Sequence, residues 1–90
     1  MNGNEDNDRF NAGEGNDRVS GSSGNDRING GVASDRLFGN SGSDRISGGS
    51  SGDDRISGGS GNDSLSGGAG KDVIVAGTGR DKLFGGRGNG

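Results

Sequence analysis

The sequence predicts an all-β fold, a two-sheet parallel solenoid with 18 residues per coil and about five coils. Three observations predict it. An aspartate recurs at intervals of nine residues, an apolar side chain stands two residues after each aspartate, and glycine is concentrated in the five positions before it. Such a unit divides into a six-residue turn and a three-residue strand with one inward side chain, so successive strands belong to opposite sheets.

The aspartates set the length of the repeat. They are Asp8, Asp17, Asp26, Asp35, Asp44, Asp54, Asp63, Asp72 and Asp81. The spacing is nine at every step except from Asp44 to Asp54, where it is ten. If Asp53 were the repeat aspartate, Arg55 would occupy the apolar position, whereas Asp54 keeps Ile56 there. The extra residue therefore belongs to the loop "GGSSGDD", and the strands stay in phase.

The apolar positions supply a thin core. They are Phe10, Val19, Ile28, Leu37, Ile46, Ile56, Leu65, Ile74 and Leu83, which alternate between the two sheets. Glycine suits the tight turns because these require positive φ at several positions. A helical fold fails, since no 3.6-residue periodicity exists and the glycine content is too high.

Composition limits what can hold this fold together. Only 21% of the residues are hydrophobic and 24 of the 90 are glycine, which is typical of a disordered linker. That linker is the alternative hypothesis, although a linker has no reason to keep a phase. With no Cys and no His, disulfides, thiolate sites and the usual zinc sites are excluded. A folded chain therefore needs another source of stability.

Units such as "GGSGNDSLS" and "GGAGKD" resemble the hemolysin-type calcium-binding repeats of RTX proteins, with the pattern GGxGxDxUx, where U is a large aliphatic residue. The resemblance extends from Gly3 to the last residues. It implies a right-handed parallel β-roll that holds Ca²⁺ between turns one coil apart, within a secreted, extracellular protein. We expect one domain over residues 1–90, with its weakest repeat at 2–10 and an incomplete repeat at 85–90.

The resemblance also implies the ligands of up to about seven ions. The aspartate pairs would be 8/26, 17/35, 26/44, 35/54, 44/63, 54/72 and 63/81. The backbone carbonyls would be those of Gly13, Gly15, Gly24, Gly30, Gly31, Gly39, Asn40, Gly42, Gly49, Gly52, Gly58, Gly59, Ser60, Gly61, Gly67, Ala69, Ala76 and Thr78. The sites 8/26 and 35/54 depart from the family pattern, because the first turn lacks two glycines and Ala33 replaces another.

Elementary chemistry agrees with calcium. Ca²⁺ binds six to eight oxygen ligands, and bare turns offer carbonyls beside each carboxylate. Stacked carboxylates repel one another without a cation between them, so we expect folding to be induced by calcium. Two carboxylates per ion suggest dissociation constants of ~10⁻⁴ to 10⁻³ M, as in extracellular modules. An enzyme is not expected, since every unit repeats the same arrangement of residues.

An arginine ladder follows the aspartates. It consists of Arg9, Arg18, Arg27, Arg36, Arg45 and Arg55, which should face outward along the two sheets. One hypothesis is a solvated surface that balances the acidic residues. The other is a binding surface for a polyanion such as an acidic polysaccharide, since bound Ca²⁺ would make the chain cationic. No nucleic-acid partner and no membrane span are expected.

The C-terminal repeats are more apolar than the others. Val73, Val75, Phe84 and the earlier Phe38 should lie on outer faces. They would pack on a capping segment or neighbouring domain, or else promote end-to-end self-association of the chain.

Overall fold

The computed structural model describes residues 7–49 and 52–84, which form nine three-residue strands and two parallel sheets. The strands are β1 (Arg9–Asn11), β2 (Arg18–Ser20), β3 (Arg27–Asn29), β4 (Arg36–Phe38), β5 (Arg45–Ser47), β6 (Arg55–Ser57), β7 (Ser64–Ser66), β8 (Val73–Val75) and β9 (Lys82–Phe84). Odd strands form one sheet in the order β1-β3-β5-β7-β9, and even strands form the other in the order β2-β4-β6-β8. The predicted two-sheet solenoid is confirmed. The start of the weakest repeat (1–6), part of the ten-residue unit (50–51) and the incomplete repeat (85–90) lie outside the described residues.

The register follows the apolar positions. Phe10 pairs with Ile28, and Ile28 pairs with Ile46, so the inward side chains of one sheet stack directly. The ten-residue step does not disturb this register, because Leu37 still pairs with Ile56 across β4 and β6. The extra residue lies in the loop, as predicted.

The core is a single layer of side chains between the two sheets. Its fully buried members are Val19, Ile28, Leu37, Ile46, Ile56 and Leu65. Phe10 and Ile74 are partly buried against this cluster, and the smallest dimension of the molecule is only 12 Å. Leu83 corrects the expectation that all nine apolar positions are buried, since it is 52% exposed. No described strand pairs with the outer side of β9, so nothing described there covers Leu83.

The turns explain the glycine content. In each described turn two residues have positive φ. One is the second residue after the strand, and the other lies two positions before the repeat aspartate. Thirteen are glycines, and the others are Ser22, Ala33 and Asn40 at φ 68°, 72° and 67°. The turns also stack closely, since a methyl group on Gly42 would collide with the carbonyl oxygen of Gly24 one coil below. Glycine is thus needed for both conformation and space.

The outer faces carry the side chains predicted to point outward. All six ladder arginines are exposed. Val73, Val75 and Phe84 are each 57% exposed, whereas Phe38 is half-buried. Among the described residues no helix is present that could cross a membrane.

Candidate metal centre

The repeat aspartates lie at the junction between turn and strand, and the structure buries most of them. Asp26, Asp35, Asp44, Asp54 and Asp63 are each 1% exposed, and Asp72 is 5% exposed. The three nearest the ends of the array, Asp8, Asp17 and Asp81, are half-buried. Asp53 is exposed, so the structure agrees that Asp54 is the repeat aspartate. Buried carboxylates are rare unless they are paired or bind a metal.

In seven of the nine repeat aspartates, one carboxylate oxygen links two coils. Oδ1 of Asp26 accepts a hydrogen bond from the backbone N–H of Asp8 at 2.8 Å, and Oδ1 of Asp63 accepts one from Asp44 at 2.8 Å. Seven bonds of this kind occur, in the pairs 8/26, 17/35, 26/44, 35/54, 44/63, 54/72 and 63/81. These are the seven pairs predicted for calcium. The structure therefore brings every predicted pair together.

The other oxygen has no partner. Oδ2 is buried and makes no hydrogen bond in Asp17, Asp26, Asp35, Asp44, Asp54, Asp63 and Asp72. An unpaired buried carboxylate oxygen is strongly unfavourable. Seven such oxygens in one small domain are the arrangement expected of cation ligands.

In six of these aspartates, Oδ2 packs against the glycine that directly follows the strand before its own turn (the strand-end glycine), whereas the turn of Asp17 has Ala12 at that position. A methyl carbon placed on Gly39 would lie 2.5 Å from Oδ2 of Asp44 and 2.9 Å from the carbonyl oxygen of Gly58, one coil later. The equivalent point at Gly58 lies 2.6 Å from Oδ2 of Asp63 and 2.9 Å from the carbonyl oxygen of Ala76. A carboxylate oxygen and a carbonyl oxygen of the next coil thus converge beside both glycines, where not even a methyl group has room. Hard cations such as Ca²⁺ bind oxygen atoms of these two kinds.

The same two oxygens converge where a turn is irregular. A methyl carbon placed on Gly30 would lie 2.6 Å from Oδ2 of Asp35 and 2.8 Å from the carbonyl oxygen of Gly48. Gly48 was not among the predicted carbonyls, which included Gly49 at this point. The extra residue of the ten-residue unit shifts the count, so Gly48 holds the position of Gly58. Only the structure reveals that shift.

The other predicted carbonyls form columns along the edges of the solenoid. Those of Gly13, Asn40 and Gly59 accept hydrogen bonds of 2.9–3.1 Å from the turn one coil later. The carbonyl oxygens of Gly24, Gly42 and Gly61 lie directly against the equivalent glycines one coil later on the same edge. A carbonyl oxygen has two lone pairs, so the first group retains a second position for a cation.

Burial also changes the acidity of the central carboxyls. It raises the pKa of Asp44 to about 7 and that of Asp54 to about 6. The pKa values of Asp35 and Asp63 are raised by the same cause. In all four, a backbone N–H opposes the rise and the carboxylate of a neighbouring coil adds to it. Protons and a cation would therefore compete for these groups.

A second ladder, which sequence analysis missed, runs beside the aspartates. In seven of the nine repeats, the residue before the repeat aspartate accepts a hydrogen bond from the same position one coil later. Oδ1 of Asn25 accepts from the N–H of Ser43 at 2.8 Å, and Oδ1 of Asn62 accepts from Arg80 at 2.8 Å. The others join Asn7 to Asn25, Asn16 to Ser34, Ser34 to Asp53, Ser43 to Asn62 and Asp53 to Lys71. The signal was present, because short polar residues fill seven of these nine positions.

The donor set consists of oxygen atoms only. No group of three or more acidic side chains forms a metal cluster in the described residues, so a site would combine two carboxylates with backbone carbonyls. Oxygen ligands suit hard cations such as Ca²⁺ rather than zinc.

Comparison with known proteins points to the same chemistry. The family model for the RTX calcium-binding nonapeptide repeat (4 copies) matches at residues 2–33, 20–51, 29–65, 48–83 and 66–89. These matches overlap and together span nearly the whole sequence. Neither a curated protein nor a solved structure matches the chain.

Proposed function

We propose that this chain, which belongs to the RTX calcium-binding nonapeptide repeat family, is a calcium-binding repeat module that folds as it binds calcium. Membership of the family supports the calcium-binding role. The coupling to folding is supported by one observation, the seven buried Oδ2 atoms that have no partner.

The coupling has a physical basis. The core holds only six fully buried apolar side chains, while the glycine-rich turns lose much conformational entropy on ordering. Bringing the repeat carboxylates together adds repulsion and desolvation. Calcium offsets the lost entropy and the repulsion between carboxylates, because a ligand that binds only the folded state stabilises that state.

We assign the ligands from the converging pairs of carboxylate and carbonyl oxygens described above. In the site between the turns of Asp44 and Asp63, Oδ2 of Asp44 and the carbonyl of Gly58 are the first two. The corresponding pairs elsewhere are Asp35 with Gly48, Asp54 with Gly67, and Asp63 with Ala76. Up to seven such sites would exist along the array, one for each linked pair of aspartates.

We also propose that the module works outside cells, as part of a secreted protein. The RTX family is typical of secreted proteins. Sites with two carboxylates should bind in the ~10⁻⁴ to 10⁻³ M range that extracellular calcium modules use. A binding role rather than catalysis follows from the uniform repeats, since no unit carries a distinct set of reactive side chains.

Titration with calcium, followed by far-ultraviolet circular dichroism and calorimetry, tests the proposal. The metal-free chain at neutral pH should give a coil spectrum, and millimolar Ca²⁺ should give a β spectrum with several ions bound. Mg²⁺ should act weakly, because it demands octahedral geometry and keeps its waters. A chain that stays coil-like in excess Ca²⁺, or is equally folded without it, would contradict the proposal.

A matched pair of variants separates the metal site from general charge. Asp54→Asn removes a buried carboxylate and should raise the calcium concentration needed for folding. Asp53→Asn removes the neighbouring exposed carboxylate, whose oxygen accepts only the Lys71 N–H, and should leave the midpoint nearly unchanged. Equal shifts in the two variants would argue against the assigned site.

A further inference from the structure

Two grooves run along the solenoid, one beside each column of arginines. The Arg27 groove is lined by Arg9, Arg27 and Arg45 on one side and by Asn7, Asn25 and Ser43 on the other. The strand register aligns the three arginines directly, through the pairs Arg9–Arg27 and Arg27–Arg45. Three arginine side chains therefore project from paired strands whose backbones lie about 4.8 Å apart.

Hydrogen bonding in the second ladder fixes which groups the Arg27 groove presents. Oδ1 of Asn7 accepts from the N–H of Asn25, and Oδ1 of Asn25 accepts from the N–H of Ser43, each at 2.8 Å. The oxygen of each amide is thus directed along the stack, and its NH₂ group remains as a donor. Each guanidinium adds up to five N–H donors. All six of these lining residues are exposed.

The acidic residues of this groove are set back from the surface. Asp26 is 1% exposed, and Asp8 is half-buried at one end. A ligand lying in the groove would therefore meet mostly hydrogen-bond donors and positive charge, which favours an anion.

The Arg36 groove on the opposite side has the same plan and one decisive difference. It is lined by Arg18, Arg36 and Arg55, facing Asn16, Ser34 and Asp53. Asp53 is exposed, and it stands where a short neutral side chain stands in the Arg27 groove. Its carboxylate repels an anion beside Arg55, so the two grooves should differ in affinity although their arginine columns match.

We propose that the Arg27 groove binds a linear acidic polysaccharide that runs across the strands, with its anionic groups on the arginines. An extended acidic peptide fits less well, since its same-side charges recur at about 6.6–6.8 Å rather than at the strand spacing. Single-stranded nucleic acid normally requires aromatic platforms for its bases, and no aromatic residue lines this groove. Ser43 and the two amides suit sugar hydroxyls.

This inference rests on the proposed function in one respect, because the groove exists only when the coils are stacked. The test is therefore made at saturating Ca²⁺, with circular dichroism confirming the fold of each protein. A size-defined heparin oligosaccharide is the probe, titrated by calorimetry, with neutral dextran and single-stranded DNA as comparison ligands.

The double variant Arg27→Ser with Arg45→Ser should weaken heparin binding by about tenfold or more, because two charge-assisted contacts are lost. The control, Arg36→Ser with Arg55→Ser, changes the net charge equally and should weaken it by less than about threefold. Asn25→Asp keeps the Oδ1 acceptor and copies the carboxylate of the Arg36 groove, so it should also weaken binding.

Each outcome decides the matter. Equal losses in the two double variants would show a response to net charge alone and overturn the groove. DNA that binds as tightly as heparin would overturn the polysaccharide. A chain that folds with Ca²⁺ yet ignores heparin would overturn this inference and leave the calcium module standing, whereas failure to fold would refute the module itself.

Discussion

The two edges of the solenoid carry the same sites on different sequences. The Asp17 edge contains the turns before Asp17, Asp35, Asp54 and Asp72, and the Asp26 edge contains those before Asp26, Asp44, Asp63 and Asp81. The Asp17 edge includes Ala33 in place of a glycine and the ten-residue unit, whereas each described turn of the Asp26 edge has its usual six residues.

Despite this difference, the two edges bring a carboxylate oxygen and a carbonyl oxygen together in nearly the same way. The point beside Gly30 on the Asp17 edge lies 2.6 Å from a carboxylate oxygen and 2.8 Å from a carbonyl, against 2.5 Å and 2.9 Å beside Gly39 on the Asp26 edge. The carboxylates are positioned by the strands next to them in the chain, and the strand register is the same on both sides. Strand pairing rather than turn sequence therefore sets the geometry of the site.

The largest expected effect comes from removing the charge of two neighbouring aspartates on one edge. Asp44→Asn with Asp63→Asn on the Asp26 edge, and Asp35→Asn with Asp54→Asn on the Asp17 edge, keep the size and the Oδ1 acceptor of each side chain. Each pair should raise the calcium midpoint of folding by about tenfold or more, since ligand charge tunes calcium affinity. Circular dichroism against free calcium measures it.

The similarity of the two edges predicts that the two double variants shift this midpoint equally. A clearly smaller shift for the Asp17 edge would mean that its irregular turns already bind calcium poorly, and that equal geometry does not give equal affinity.

Lowering the pH should partly replace calcium. The pKa values of Asp44 and Asp54 are raised to about 7 and about 6, so the folded chain binds more protons than the unfolded chain between about pH 4 and 7. Stability without metal is then present at acidic pH and is lost as the pH rises through these values. The metal-free chain should gain β structure as the pH falls towards 4.5, and its calcium midpoint should rise.

Both edges contribute to this pH response, because Asp44 and Asp54 lie on different edges. The Asp44→Asn variant should keep only the lower-pH part of the transition, and Asp54→Asn only the higher. A metal-free chain that stays unfolded at every pH would contradict the expected effect of burial on these carboxyls.

The sequence predicted the fold and the aspartate pairs almost completely, for a physical reason. A nine-residue period with one apolar position leaves a single choice of strand and of inward face, so Ile56 fixed the phase through the ten-residue unit. Local detail was harder to predict. Gly48 and the second ladder depend on which atoms meet between coils, and the exposure of Leu83 depends on whether a further strand pairs with β9.

A smaller effect should follow from adding a methyl group to a single strand-end glycine. Gly39 does not have positive φ, and alanine occupies the equivalent positions 12 and 76, so Gly39→Ala creates no backbone strain. Its methyl group would approach Oδ2 of Asp44 and the carbonyl of Gly58. We expect a loss of about 1–3 kcal/mol of stability at saturating calcium, as for overpacking.

The counterpart on the other edge is Gly30→Ala, with the methyl group beside Asp35 and Gly48. Urea denaturation at saturating calcium should show equal losses of stability in the two variants. If neither variant lost stability, the close packing beside the strand-end glycines would not constrain the turns.

The smallest effect concerns backbone strain at Ala33, in one irregular turn of the Asp17 edge. Ala33 has φ 72°, a left-handed conformation that is unfavourable for a residue with a Cβ atom by about 1–2 kcal/mol. Ala33→Gly relieves this strain but adds flexibility to the unfolded chain, so the net gain should be about 0.5–1 kcal/mol.

Asn40 has nearly the same φ of 67°, but asparagine tolerates this region, and its Nδ2 donates to Oγ of Ser20 at 2.6 Å. Asn40→Gly should therefore give no gain, and urea denaturation at saturating calcium compares the two. Equal gains would mean that the strain lies in the shared turn conformation, and only a gain confined to Ala33 would assign it to the substitution that distinguishes the Asp17 edge.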